Sequence, residues 1–191
     1  MKNKVKNIAV VQTWVFLRTW KKGSVTYLQA KHFNDYGDLR EALIPDLKIE
    51  EMSEKHLLQN WDILFSAKWT RNFATVYRSE YWLCVASSTF LVIRLNSESN
   101  YIPEFVALIL NNFQASQYFR ENNLTWTTVQ SISKKIIDDF EIWIIEIEKQ
   151  EKLLHLYNLH KKQIEILENL MIKKDKLINS IILQYNNHDN D

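Results

Sequence analysis

Glycine, proline and cysteine are scarce in this chain. Its 191 residues include two glycines, two prolines and one cysteine. With only Gly23 and Gly37 available, a glycine-rich loop that cradles phosphates is excluded. The single Cys84 excludes an internal disulfide and fits a reducing cytoplasm, and we interpret it as a small core residue and not as a nucleophile.

Long apolar runs and metal-binding patterns are also missing. No stretch reaches the roughly 18 apolar residues of a membrane span, and the start MKNKVKN leads into no signal peptide. We therefore predict a cytoplasmic protein without a membrane partner. No two of the five histidines are three or four residues apart, the spacing of two metal ligands on one face of a helix. No pair of acidic residues is accompanied by other residues that would complete a catalytic site. We predict no bound metal, no cofactor and no catalytic residue, so the chain is interpreted as a binding protein.

Short strand-like runs with one or two helices indicate an α+β domain over residues 1–145. Pro103 suits the first turn of a helix, and apolar residues at helical spacing continue that helix to about Glu121. The predicted strands are Val25–Ala30, Asp62–Ala67, Thr75–Tyr77, Leu83–Ala86, Phe90–Leu95 and Phe140–Ile144.

The rest of the chain predicts one long helix over residues 146–185, followed by a disordered polar tail over 186–191. Its apolar residues alternate at four and three positions for more than four heptads, which is typical of a coiled coil. A helix of about 40 residues is about 60 Å long and needs a partner helix; folding back on its own domain is the alternative. The dimerisation candidates are Leu153, Tyr157, Ile164, Leu167, Met171, Ile178 and Ile181.

Basic residues are concentrated in the N-terminal part. Residues 1–80 carry 13 Lys/Arg against 9 Asp/Glu, whereas residues 81–191 carry 11 against 14. No acidic residue lies between Asp62 and Glu80, so the turn Lys68–Asn72 between two apolar strands is cationic. Such a loop predicts a surface for phosphates and base edges, although a solvated basic face would give the same pattern.

Five segments in order resemble the specificity (S) subunit of type I restriction–modification systems. QTWVFLRTWKKGSVTYLQAKHFNDYGDL resembles the opening of a target recognition domain, and WDILFS resembles the family's G-D-I-L-F-S strand. IPEFVALILNN resembles its proline-started helix. FEIWIIEIEKQEKL resembles the closing strand and the E-x-Q element before the long helix, with Gln150 at the glutamine.

This resemblance implies a target recognition domain over residues 1–145 that reads one half of a bipartite double-stranded DNA sequence, and a helix that sets the spacing to the other half. Full S subunits have two of each, so one of each resembles the half-length form. Such a form is expected to self-associate through its helix. The modification (methyltransferase) and restriction subunits would be partners and would carry out methylation and cleavage.

The DNA-contact candidates follow from charge and loop placement. Arginine suits guanine edges, asparagine suits adenine, and lysine suits phosphates. The candidates are Arg18, Lys21, Lys22, Lys31, Lys68, Arg71, Asn72 and Arg78. Two alternatives stay open: a coiled-coil adaptor or structural protein that binds no DNA, and a degenerate fragment of a longer S subunit.

Tryptophan departs from the family pattern at Trp14, Trp61, Trp69 and Trp126, where the family tends to have glycine. Seven tryptophans against two glycines is an unusual ratio for a loop-rich domain. One interpretation is that some of these codons are UGA, decoded as glycine in the source. The other is genuine divergence, with the aromatic rings stacking on bases or filling the core.

Overall fold

The computed structural model describes residues 1–13, 23–34, 36–40, 42–47, 56–68, 72–81, 83–123 and 131–188. The chain divides into two compact units, and the division falls after Gln150. The first unit contains all of the described strands and the short helices.

A four-stranded antiparallel sheet lies at the centre of the first unit. Its strands are β2 (Ala9–Thr13), β4 (Ile63–Ser66), β5 (Ala74–Val76) and β7 (Phe90–Leu95), in the order β2-β7-β4-β5. Every residue of β4 is buried, as are the first four of β7. Because the sheet is covered on both faces, these strands form continuous apolar runs without alternation.

One face of the sheet is covered by a parallel pair, β3 (Thr26–Leu28) and β6 (Cys84–Ala86). Leu64 and Val92 pack there with Leu28 and Val85 in one hydrophobic cluster. On the other face, the Phe65 ring lies 5.0 Å from that of Phe119 in a helix. The predicted α+β fold is confirmed, and the predicted strand ends differ from the observed ones by at most two residues.

The single helix predicted from Pro103 to about Glu121 is two helices, α2 (Pro103–Leu110) and α3 (Phe113–Asn122). Two asparagines separate them. The Asn111 side chain accepts from the Ala74 N–H and donates to the Ala74 carbonyl, so it extends the edge of β5. Asn112 caps α3 by accepting a hydrogen bond from the Ala115 N–H.

Four elements near the two ends of the unit were not predicted from the sequence: β1 (Lys2–Lys4), α1 (Val5–Ile8), β2 and α4 (Lys134–Asp139). The strand predicted over Phe140–Ile144 is observed as β8 (Glu141–Trp143). β1 pairs with β8 in an antiparallel arrangement, and the ammonium groups of Lys4 and Lys6 both contact the Asp139 carboxylate. The beginning of the chain is thereby joined to the segment that precedes the long helix.

The long helix α5 runs from Ile147 to His188, so it continues three residues past the position where we predicted a polar tail. No helix among the described residues combines the length and apolar character needed to cross a membrane.

Candidate nucleic-acid interface

The basic loop after β4 begins beside the turn that precedes β7. The backbone N–H groups of Ala67 and Lys68 both donate to the Thr89 carbonyl, at 2.9 and 3.3 Å. The Lys68 side chain is exposed at this point. Arg71 lies outside the described residues, so its predicted role stays a prediction.

Asn72 closes the loop from its other end. Its side-chain amide donates to the Ser66 carbonyl at 2.7 Å, while the Ser66 N–H donates to the Phe73 carbonyl at 2.8 Å. One N–H of the amide is therefore engaged in holding the loop against the end of β4. This contact supports a positioning role for Asn72.

The second predicted basic segment begins at the same end of the sheet. Thr13, the last residue of β2, pairs with Leu91, and Ser66 pairs with the neighbouring Phe90. β2 therefore ends, at Thr13, close to the point where β4 ends and Lys68 follows. Arg18, Lys21 and Lys22 themselves lie outside the described residues.

Lys31 borders a groove of about 480 Å³ together with His32 and Arg40. The loop below it is shaped by Asn34, whose side-chain oxygen accepts from two backbone N–H groups, and by Gly37, which has a φ of +82°. A Cβ on Gly37 would lie 3.1 Å from that of Thr75. Other residues lining the groove are Ala42, Leu43, Ile44, Pro45 and Asp46.

One aromatic cluster anchors Lys31 and the Lys68 loop near each other. The Phe33 ring lies 5.7 Å from that of Phe73 and 5.9 Å from that of Phe90. Lys31 stands two residues before Phe33, and Asn72 directly precedes Phe73. Arg40 belongs to the same region but was missed, because its only sequence signal is a single positive charge after a turn.

The half-exposed Arg78 side chain contacts two other side chains. Its Nη2 lies 3.0 Å from the Glu104 Oε1 on α2, and its guanidinium carbon lies 5.1 Å from the centroid of the Trp61 ring. The ion pair with Glu104 engages Nη2 and restricts how the guanidinium could reach a base edge. The contacts support a role for Arg78 in packing the turn before β4 against α2.

A buried ion pair lies at the opposite end of β4. Asp62 is 1% exposed and accepts two hydrogen bonds of 2.7 Å from Arg94, on its Oδ1 and its Oδ2. Asp62 also accepts from the Gln59 N–H at 2.8 Å. The hydrogen bonds to Asp62 raise the pKa of Arg94. This pair joins the start of β4 to β7, and we interpret it as a structural ion pair and not as part of a binding site.

Gln150 is fully buried in the first turn of α5. Its amide nitrogen donates to the carbonyls of Asn100 and Ile145, and its oxygen accepts from the Ile102 N–H. Both N–H groups of the amide and its oxygen thus bind three backbone groups of the first unit. The glutamine of the E-x-Q element is a structural clamp for the loop before α2.

The dimerisation candidates on α5 are solvent-accessible in the single chain. Ile164 is 39% exposed and Ile178 is 54% exposed, and Tyr157 is partly exposed. The other candidates, Leu153, Leu167, Met171 and Ile181, are each more than 40% exposed. Apolar side chains repeated along an uncovered helix are typical of a surface that associates with another helix.

No metal site accompanies these surfaces in the described part of the chain, where no group of three or more His, Cys, Asp or Glu residues could hold an ion.

Solved structures with similar folds decide the architecture. A chain from a structure on complex assembly and conformational transition of the type I R-M system is 12% identical and has a TM-score of 0.63, over 91% of this chain and 41% of that one. The HsdS subunit from Thermoanaerobacter tengcongensis is 11% identical, with a TM-score of 0.62 over 88% of this chain and 39% of that one. The type I S subunit from M. genitalium is 13% identical, with a TM-score of 0.57 over 89% and 41%.

The chain has the fold of a type I S subunit. It spans about two fifths of the length of these structures, so the S-subunit fold is represented here by one domain and one long helix. No protein-family model and no curated protein matches the sequence. The resemblance predicted from the five segments is confirmed for the fold.

Proposed function

We propose that this chain is a sequence-specific DNA-binding specificity subunit of a type I restriction–modification complex. The observation that carries the proposal is the S-subunit fold over about nine tenths of the chain. In this role the first unit is a target recognition domain that reads one half of a bipartite sequence. The chain carries out no chemistry, and partner subunits methylate and cleave.

The proposed DNA-facing surface is the end of the sheet that carries Lys68, together with Lys31 and Arg40. Three observations support it. β2 and β4 end beside each other at the start of β7. Phe33 and Phe73 join the segments after Lys31 and Lys68 in one aromatic cluster, and the three cations are exposed. The predicted segment with Arg18, Lys21 and Lys22 continues from β2 at that end. Lysine and arginine side chains on such loops neutralise phosphates.

The proposed partner of α5 is the α5 of a second copy. Two copies related by a two-fold axis would supply two recognition domains, which a bipartite target needs. Antiparallel pairing of the helices suits that arrangement, because the two domains would face opposite half-sites. The same helices would dock the modification subunit.

Binding to duplex DNA at two salt concentrations tests the proposal. We expect the purified chain, alone and with its modification subunit, to bind random-sequence duplex with an affinity that falls about 10³-fold or more between 50 and 200 mM salt if six or more phosphates are contacted. A chain that binds no duplex at either salt concentration, with or without the modification subunit, would contradict it.

The adaptor alternative draws on α5, whose exposed apolar residues could recruit a partner without any DNA contact. It predicts self-association or partner binding that is unchanged by added duplex, and no salt-dependent DNA affinity. The same titration therefore separates the two functions.

A further inference from the structure

The backbone of Trp61 has a conformation that favours glycine. Its φ is +74°, and Trp61 is the one non-glycine residue with a positive φ among those the structure describes. It is the third residue of the turn Gln59–Asp62, which is closed by a hydrogen bond of 3.0 Å from the Asp62 N–H to the Gln59 carbonyl. Because Asn60 has a negative φ, this is the type II pattern, whose third position requires positive φ and is typically glycine.

Hydrogen bonds around the turn hold this conformation. The Trp61 N–H donates to the Tyr77 carbonyl at 3.0 Å, and the Gln59 N–H donates to the Asp62 carboxylate. The Asn60 side chain accepts from the Ser79 N–H at 3.0 Å. Changing the φ of Trp61 would break the contact with Tyr77 and displace Asp62 from its ion pair with Arg94. These hydrogen bonds hold residue 61 at positive φ, where the Cβ of tryptophan is crowded against the backbone and a glycine would not be.

The contacts of the Trp61 indole ring offset little of the strain at positive φ. Trp61 is 44% exposed, and its described ring contact is with the Arg78 guanidinium, which is already paired with Glu104. Cation–π contacts at exposed sites are weak. Trp143 provides the contrast: it lies in β8 without a positive φ, it pairs with Lys2, and the Lys2 ammonium lies 5.0 Å from its ring centroid.

We propose that residue 61 of the native protein is glycine, and that Trp61 results from a UGA codon that its source decodes as glycine. Seven tryptophans beside two glycines are the composition that such a codon would produce. Trp143, whose backbone and ring suit tryptophan, is expected to be encoded by UGG. The proposal is independent of the proposed function, because it rests on the backbone geometry at residue 61 and on the composition of the chain.

The codons and the native protein test the assignment directly. We expect UGA at position 61 and UGG at position 143, and we expect mass spectrometry of peptides from the protein isolated from its source cells to find glycine at 61 and tryptophan at 143. UGG at position 61, or tryptophan at position 61 in the native peptide, would overturn the proposal.

A set of recombinant variants tests the conformational argument separately. In the full chain, Trp61→Ala and Trp61→Gly both lose the Arg78 contact, but only glycine relieves the strain at positive φ. We expect Trp61→Gly to melt about 2–4 °C above Trp61→Ala, with Trp61→Asn between them. At the matched control the order should reverse, because Trp143→Gly weakens a strand more than Trp143→Ala does. Equal melting temperatures for the two variants at position 61, or a higher one for alanine, would contradict the glycine geometry.

Discussion

The guanidinium of Arg94 binds the carboxylate of Asp62 through two parallel hydrogen bonds, at a point where β4 begins and β7 is about to end. Asp62 has almost no exposed surface, whereas the Arg94 side chain is 27% exposed. The pair therefore places a charge inside the first unit and satisfies it there. A planar guanidinium matches a carboxylate in this two-point arrangement, which lysine cannot reproduce.

Asp62→Asn should destabilise the protein by about 3 kcal/mol, the lower end of the cost of breaking a buried ion pair, because Arg94 keeps partial access to water. Urea denaturation followed by circular dichroism measures the change. Glu98→Gln removes a carboxylate from an exposed loop residue and serves as the control, with an expected change within about 0.5 kcal/mol. Similar midpoints for the two variants would refute a stabilising role for the pair.

Gln150→Glu should also destabilise the first unit. The carboxylate can still accept from the Ile102 N–H, but it has no N–H for the carbonyls of Asn100 and Ile145. The side chain of residue 150 is buried, and a buried polar group left without its hydrogen-bond partner costs about 1–3 kcal/mol. Gln163→Glu makes the same change at an exposed position of α5 and should be nearly neutral in urea denaturation. If Gln150→Glu were equally neutral, the three hydrogen bonds would have no net stabilising effect.

The central strands were predictable from the sequence because both faces of the sheet are buried. Phe90–Leu95 was predicted with its exact ends, since a continuous apolar run bounded by polar residues leaves little freedom. β8 was predicted as Phe140–Ile144, but β1 and its pairing with β8 were not predictable, because β1 has three residues and all of its side chains are polar. The paired residues are more than 130 residues apart along the chain.

The positive charge and the solvent exposure of the loop at Lys68 could be predicted from the sequence. Lys68 lies on an exposed loop, as the basic turn predicted. The engagement of Arg78 was not predictable, because its partner Glu104 is 26 residues away and only the fold brings α2 to the turn before β4. The break at Asn111 has a similar cause, since it depends on a contact with β5 that no helical periodicity encodes.

We expect the folding stability of the protein to depend on pH, because the thiol of Cys84 is buried. Burial raises the pKa of Cys84 from 9.0 to about 12, and burial also raises the pKa of Tyr77. The unfolded chain releases these protons at a lower pH than the folded one. This contribution to stability is therefore complete below about pH 9 and is lost as the pH rises towards 12.

We expect the urea midpoint of the native sequence to fall between pH 8 and pH 10.5, and to fall less in Cys84→Ala. Alkylation of Cys84 by iodoacetamide at pH 8 should be slow in the folded protein and fast in urea, because the thiolate is the reactive species. Rapid alkylation of the folded protein would contradict a buried, protonated thiol.

Ile164→Asp combined with Ile178→Asp should give monomers, if α5 pairs with a second copy. Each apolar side chain removed from water in a helix pair contributes roughly 1.5–3 kcal/mol, and a carboxylate there would be desolvated without a partner. Asn158→Asp with Asn179→Asp adds the same two charges at exposed positions away from the predicted seam and should leave the assembly intact. Analytical ultracentrifugation measures the masses, and an unchanged oligomer in the Ile164 and Ile178 variant would exclude this seam.

The loop after β4 should affect DNA binding more than folding. Lys68 is exposed, and substitutions at exposed sites change stability by about 0.5 kcal/mol or less. Lys68→Ala should weaken binding to all duplex sequences alike and reduce the steepness of the salt dependence, because a lysine on this loop is expected to contact a phosphate. Lys173→Ala on the exposed surface of α5 removes one positive charge far along the helix and is the control.

Arg71→Ala should act differently from Lys68→Ala, because arginine can form two hydrogen bonds with a guanine edge. We expect a loss of about 1–3 kcal/mol on the preferred sequence and relaxed discrimination at one position of the target. Competition binding of the assembled complex to a panel of single-base target variants distinguishes a uniform loss from a local one. If both loop variants keep full affinity and full discrimination, the loop lies outside the interface, and Arg18, Lys21 and Lys22 become the side chains to test.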